Sequence, residues 1–132
     1  MRLWHQSLIP HLDRQRLLGV HRECCALRGR GWGRKHSVVN YVFDHDPARL
    51  VAYHFLVMDE MKRRQYNPDP VWHNPNWRGN VLGETADWVQ LSQVENLLSQ
   101  NEAGIHIYKE HNTDYYNECI ENLRAKGIEL DA

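Results

Sequence analysis

Apolar residues recur along this chain at helical spacing, and nowhere do they alternate over a long strand-like run. Leu17, Val20, Cys24 and Leu27 fall at intervals of three, four and three, one stripe of an amphipathic helix that Asp13 is placed to cap. Asp46-Pro47 opens a second helix, with Asp as N-cap and Pro at the first helical position, predicted to run to about Gln65. Its apolar residues go almost all the way round (Leu50, Val51, Tyr53, Phe55, Leu56, Met58), which marks it as the central buried helix. His54 interrupts its apolar run and reads first as a hydrogen-bonded core histidine. Residues 84–100 predict a short helix carrying Trp88, Val89, Leu91, Val94 and Leu97. Thr113 caps a final helix to about Lys126, with Tyr116, Cys119, Ile120 and Leu123 as its stripe and Gly127 at C′. Residues 1–12 read as an extended lead-in, because Pro10 discourages helix just before it. Residues 66–83, rich in Pro, Asn and Gly, read as loop. The expectation is an all-α fold: one compact helical domain over residues 1–132, a central helix at about 47–65, and long loops.

Charge changes the picture. Residues 1–36 hold eight Lys/Arg against two acids, a balance of +6, while residues 37–132 hold eight bases and fifteen acids, a balance of −7. The net charge of −1 thus hides one basic region on an acidic body, the electrostatic footprint of a polyanion partner. Within that region Glu23 stands beside Arg22, and an acid among phosphate-binding groups repels the ligand, so a chemical role is indicated. Gln15, Arg16, Gly19, Arg22, Glu23 and Ala26 share the polar side of the first helix. Gly19 and Ala26 are small enough for a bulky ligand to approach there, although a plain solvated helix face fits the same pattern. The segment RGRGWGRKH, 28–36, spaces bases with glycines and suits contacts along a nucleic-acid backbone, or is an ordinary basic loop. Trp32 within it is either a stacking aromatic or a core residue.

Other chemistries find little support. Lys35 is not followed directly by Ser or Thr, so no nucleotide P-loop is present. Nine histidines raise the question of a metal, but HExxH, HxH and CxxC are all absent. A Ser/His/Asp hydrolase has no GxSxG. Cys24 and Cys25 lie on or near the apolar stripe and read as small core residues of a reducing compartment. No apolar run is long enough to span a bilayer and the first ten residues lack a secretory h-region, so a cytoplasmic, nucleoid-associated protein is expected.

The remaining constellation is recognisable. RQRLLGVHRE, followed after a short gap by GRKH, resembles the helix and basic segment of the phage-type pyrimidine-dimer DNA glycosylase/AP-lyase family. Gln15 seven residues before Arg22-Glu23, then Arg34-Lys35-His36, with Arg2 near the N-terminus, match the family's pattern. Trp77-Arg78-Gly79 looks like its aromatic-Arg-Gly turn, and 107–123 like its C-terminal helix start. The resemblance implies a small all-α enzyme that excises damaged pyrimidines from double-stranded DNA through a Schiff base. It implies no cofactor or metal, and a monomer is expected. The implied nucleophile is the chain's α-amine, and the carboxylate matching Glu23 is the acid/base. The family's usual chain begins Met-Thr-Arg and loses its Met; here Arg2 follows Met1 directly and should block that removal, so the Met1 amine takes the nucleophile position. An α-amine, with a reference pKa of about 7.7–8.0, is far more often neutral at pH 7 than a lysine. Arg2, Gln15, Arg16, Arg22, Arg30, Arg34, Lys35 and His36 are the expected DNA contacts. Two further readings stay open on the residues alone: a non-catalytic nucleic-acid-binding module using the same basic face, and a histidine-based metal phosphodiesterase.

Overall fold

A computed structural model describes residues 2–35 and 38–130, so Met1 and His36 among the expected site residues lie outside the described part. Four helices of more than two turns form it: α1 (Arg14–Arg28), α2 (Pro47–Arg63), α4 (Leu91–Glu102) and α5 (Thr113–Ala125), with a single helical turn α3 (Gly79–Leu82) between. Three 3-10 segments, Gln6–His11, Asn40–Asp44 and Pro70–His73, connect them. Among the described residues the only extended pairing is an isolated bridge, Trp77 to Glu84, so the fold is all-α.

The capping signals act where the sequence places them. The Asp13 side chain accepts from the Arg16 N–H and starts α1, whose stripe Leu17, Val20, Cys24 and Leu27 is buried. Asp46 accepts from the Ala48 N–H and Pro47 is the first helical residue of α2. α2 is the core: Leu50, Val51, Ala52, Tyr53, His54, Val57 and Met58 are fully buried, and it packs on both α1 and α4. It stops at Arg63 rather than Gln65, because Gln65 turns to a φ of 66° while the Tyr66 N–H caps the Met61 carbonyl at 2.8 Å.

Three expectations need correction. The lead-in is not extended: residues 6–11 form a 3-10 turn around Pro10, with the His5 imidazole accepting from the Ser7 N–H to start it. A short 3-10 turn tolerates the one missing proline N–H, since the Leu8 and Leu12 amides close its two ends. The helix expected over 84–100 begins only at Leu91, which is half exposed; Trp88 and Val89 pack ahead of it. The cap of α5 is Asn112, not Thr113, its side chain accepting from the Tyr115 N–H at 2.9 Å. Trp32 belongs with the core, edge-on to Phe43 and Trp88 at 5.1 and 5.8 Å.

Two tyrosines tie the N-terminal segment to the helices. Tyr115 donates to the Leu3 carbonyl and Tyr53 to the Trp4 carbonyl, each at 2.5 Å. Gln6 is anchored as well, its N–H donating to His111 Nδ1 and its side-chain oxygen accepting from the Ile107 N–H. Residues 3–6 are thereby fixed against α2, α5 and the chain leading into α5.

Candidate DNA-binding and catalytic face

The polar face of α1 borders two clefts. The first, about 200 Å³, is lined by Gln15, Arg16, Gly19, Val20 and Arg22 of α1, by Trp4 of the N-terminal segment and by Lys126 after α5. The second, about 480 Å³, lies at the other end of α1 and takes in Ala26, Arg30, Arg34, Trp72, Arg78 and Val81. Gly19 and Ala26, the small residues of this face, each open one cleft. Glu23 lies one turn beyond Gly19 on the same face and one turn before Ala26, so it sits between the two.

Glu23 is half-buried, and among the described residues it makes no hydrogen bond or ion pair. That is unusual in a region so rich in arginine. Arg22 is exposed beside it, as are Arg30, Arg34 and Lys35 farther along, and among the described residues none of their side chains has a partner. Gln15 is exposed and accepts from Arg16 at 3.0 Å; Arg16 also pairs with Asp13 at 3.5 Å. Arg2 lies over the Trp4 ring and pairs with Glu118 at 3.7 Å, so it is partly engaged within the protein. The structure therefore brings Gln15, Arg16 and Arg22 into one cleft and Arg30 and Arg34 into the other, with Glu23 between. Lys126, which crosses the Trp4 ring at 5.3 Å and adds a primary amine to the first cleft, had no signal in the sequence. It arrives from the opposite end of the chain.

One of the eight N-terminal bases is not a surface charge at all. Arg28 is 0% exposed and donates to the carbonyls of Trp72, Asn74 and Trp77 at 2.7–3.0 Å, and to His54 Nδ1 at 3.0 Å. Burial without a carboxylate partner lowers its pKa from 12.5 to about 10, still charged at neutral pH. Arg78 returns the contact by donating to the Arg28 carbonyl at 2.8 Å, with its guanidinium over Trp88 at 4.3 Å. Gly29 is needed there: a Cβ would stand 2.9 Å from the Arg78 carbonyl.

His21, Cys25 and His54 offer ligand atoms within 4.8 Å of one another, a soft donor set suited to zinc or copper. The hydrogen bonding assigns it otherwise. A guanidinium only donates, so His54 Nδ1 accepts from Arg28 and a neutral His54 carries its proton on Nε2. That N–H donates to His21 Nδ1 at 2.9 Å, which leaves the His21 proton on Nε2, facing Cys25 Sγ at 3.8 Å. The imidazole protons point into the cluster where ligand lone pairs would have to face a cation, and a buried positive charge adjoins it. Histidine ligands normally give their second nitrogen's proton to an acceptor, the opposite polarity. The three residues form a proton-ordered relay that runs from Arg28 at the end of α1 through His54 of α2 back to His21 and Cys25 of α1. Burial holds His54 well below its ordinary pKa and pushes the Cys25 thiol up to about 12, so Cys25 is not an activated nucleophile.

Among the described residues no helix is long and apolar enough to cross a membrane. A family model described as pyrimidine dimer DNA glycosylase matches residues 1–74, which include α1, the basic loop, α2 and the Arg28-gripped start of the following loop. No curated protein and no solved structure matches the chain. With more than half of its length matched, the chain belongs to the pyrimidine dimer DNA glycosylase family.

Proposed function

We propose that this protein is a DNA repair enzyme that excises pyrimidine dimers from duplex DNA and then cleaves the abasic strand as an AP lyase. The observation that carries the reading is Glu23, a half-buried carboxylate without a cation partner among the described residues, set between two arginine-lined clefts. Pure phosphate binding has no use for such a group. Family membership supplies the substrate class, DNA with damaged pyrimidines. Residues 1–132 act as one such domain, in the cytoplasm on nucleoid DNA.

In the proposed reaction the neutral Met1 α-amine attacks the sugar C1′ and the C1′–N glycosidic bond breaks, its electron pair leaving with the base. Glu23 stabilises the positive charge on the sugar and then moves protons. The C1′–O4′ bond opens to give the Schiff base, a proton leaves C2′, and the 3′ phosphate departs by β-elimination. The amine's low basicity keeps it nucleophilic at neutral pH. Arg22, Arg30, Arg34 and Lys35, with Gln15, Arg16, Arg2 and His36, hold phosphates of the kinked strand.

Borohydride trapping tests this directly, with protein free of any N-terminal tag and duplexes carrying either a cyclobutane dimer or an abasic site. An adduct on both, mapped by mass spectrometry to the Met1 amine, is the expected result, and Glu23→Gln should abolish turnover while leaving or improving DNA affinity. An adduct mapped to Lys126 would move the nucleophile and keep the reaction class. No adduct on either duplex, with salt-sensitive binding intact, would overturn the lyase and favour a binding module.

A further inference from the structure

Val81 is 71% exposed and Leu82 42%, side by side on the turn α3. Single exposed apolar residues are ordinary. An adjacent pair at the tip of a rigid projection is not. Gly79 and Gly83, at φ 94° and 65°, bound the tip and let the chain reverse sharply at both ends. Below it, the Arg78 N–H donates to the Gly83 carbonyl at 2.9 Å and the Gly83 N–H to Gly79 at 2.7 Å. The Trp77–Glu84 bridge closes the base, and buried Arg28 grips the preceding carbonyls of Trp72, Asn74 and Trp77. A fully buried cation thus serves to fix a loop whose outermost side chains are apolar and bare.

The surroundings of the tip are basic. Val81 lines the 480 Å³ cleft together with Arg30, Arg34 and Arg78, and Ala26 of α1 lines it as well. Ala26 lies three residues beyond Glu23, about 4.5 Å along the helix axis. An apolar point beside exposed cations, on a cleft that reaches within one helical turn of the proposed acid/base along α1, matches the way proteins unstack and kink a duplex.

We infer that Val81 and Leu82 form a wedge that enters between stacked bases of the DNA lying across α1, with Arg30 and Arg34 taking the flanking phosphates. The inference rests on the reading that α1 faces DNA. It lies in residues beyond the stretch that the family model matches. The occupant is a base step of duplex DNA, because the charge beside the tip suits a polyanion.

The test uses a duplex with an uncleavable abasic analogue and 2-aminopurine at the neighbouring positions, whose fluorescence rises on unstacking. Wild-type protein should raise it, and the double variant Val81→Ser/Leu82→Ser should lose most of the rise. Its salt slope should be unchanged, since no phosphate contact is removed, whereas Arg30→Ala/Arg34→Ala should lower the slope by about 2. Both apolar side chains are exposed, so the unfolding midpoint should hold, and Val81→Ala gives a milder second variant. Binding without a rise, or a rise that the serine variant retains, sinks the wedge and leaves the glycosylase reading standing. Absence of DNA binding by the wild type sinks both. A dimer that the serine variant dissociates would make the tip a self-association surface and overturn the wedge.

Discussion

Tyr115 donates its hydroxyl to the carbonyl of Leu3 at 2.5 Å, two residues from Met1. Tyr53, from a different helix, does the same for Trp4. Consecutive carbonyls of the N-terminal segment are therefore pinned from α5 and α2, which limits where the first amine can reach. Tyr115→Phe leaves the Leu3 carbonyl unpaired, a loss of about 1–3 kcal/mol by urea unfolding. If the α-amine is the nucleophile, the same change should slow borohydride trapping by about tenfold, through misplacement of the attacking atom, while DNA affinity stays level. Trapping at the wild-type rate would show that the segment's position does not depend on this bond.

Arg28 makes a sharper stability prediction. Its guanidinium closes four hydrogen bonds in the interior, and Lys has neither the fork nor the reach to replace them. Arg28→Lys should cost about 3 kcal/mol or more, because three carbonyls and His54 Nδ1 lose their donor in a buried setting. Arg30→Lys, on the exposed loop, should stay within about 0.5 kcal/mol. Chemical denaturation of the two variants side by side decides it; equal midpoints would mean that the buried network contributes little.

The same contrast applies to DNA binding. Arg22 and Arg34 are exposed, and among the described residues neither has a partner. Each alanine substitution there should weaken binding and lower the slope of log affinity against log salt by about 1. Arg16, already paired with Asp13, should change it less. Affinity measured from 50 to 200 mM salt separates these cases, and an unchanged slope in Arg22→Ala would take the first cleft out of the DNA interface.

What the sequence disclosed and what it hid follow from distance along the chain. Asp13 and Asp46 cap helices through residues two or three positions away, so local pattern suffices to find them. The stripe Leu17–Leu27 and the buried α2 are legible for the same reason. Gln15, Arg22 and Glu23 share a face by helical spacing alone, which is why the polar side of α1 is readable. Arg28 looks in sequence like one more phosphate ligand, yet its partners lie 26 to 49 residues away and turn it into a core strut. Lys126 and Tyr115 reach the N-terminal segment from more than a hundred residues downstream, and no periodicity announces that. Pro10 misleads, because a six-residue 3-10 turn needs so few bonds that one missing donor does not prevent it.

Acid should unfold this protein through its histidines. Burial, aided by His5 and His106, holds His111 down at about 3, its Nδ1 accepting from the Gln6 N–H and its Nε2–H donating to Tyr41 at 2.8 Å. Burial likewise holds His54 well below the ordinary range, with Arg28, His21 and His73 adding to the effect. For such a group the unfolded chain takes up a proton near pH 6.5 that the folded chain refuses. Stability is therefore complete above pH 6.5 and falls as pH drops toward the folded value, by up to about 1.4 kcal/mol per pH unit for each histidine. At pH 5 His111 alone should account for about 2 kcal/mol. In His111→Gln the amide oxygen can accept from Gln6 and the amide nitrogen donate to Tyr41, with no proton to gain. That variant should be less stable than wild type at pH 7.5 yet lose less on going to pH 5, as read from urea midpoints at the two pH values. A pH dependence equal to that of the wild type would assign the acid sensitivity to the relay of His54 and His21 instead.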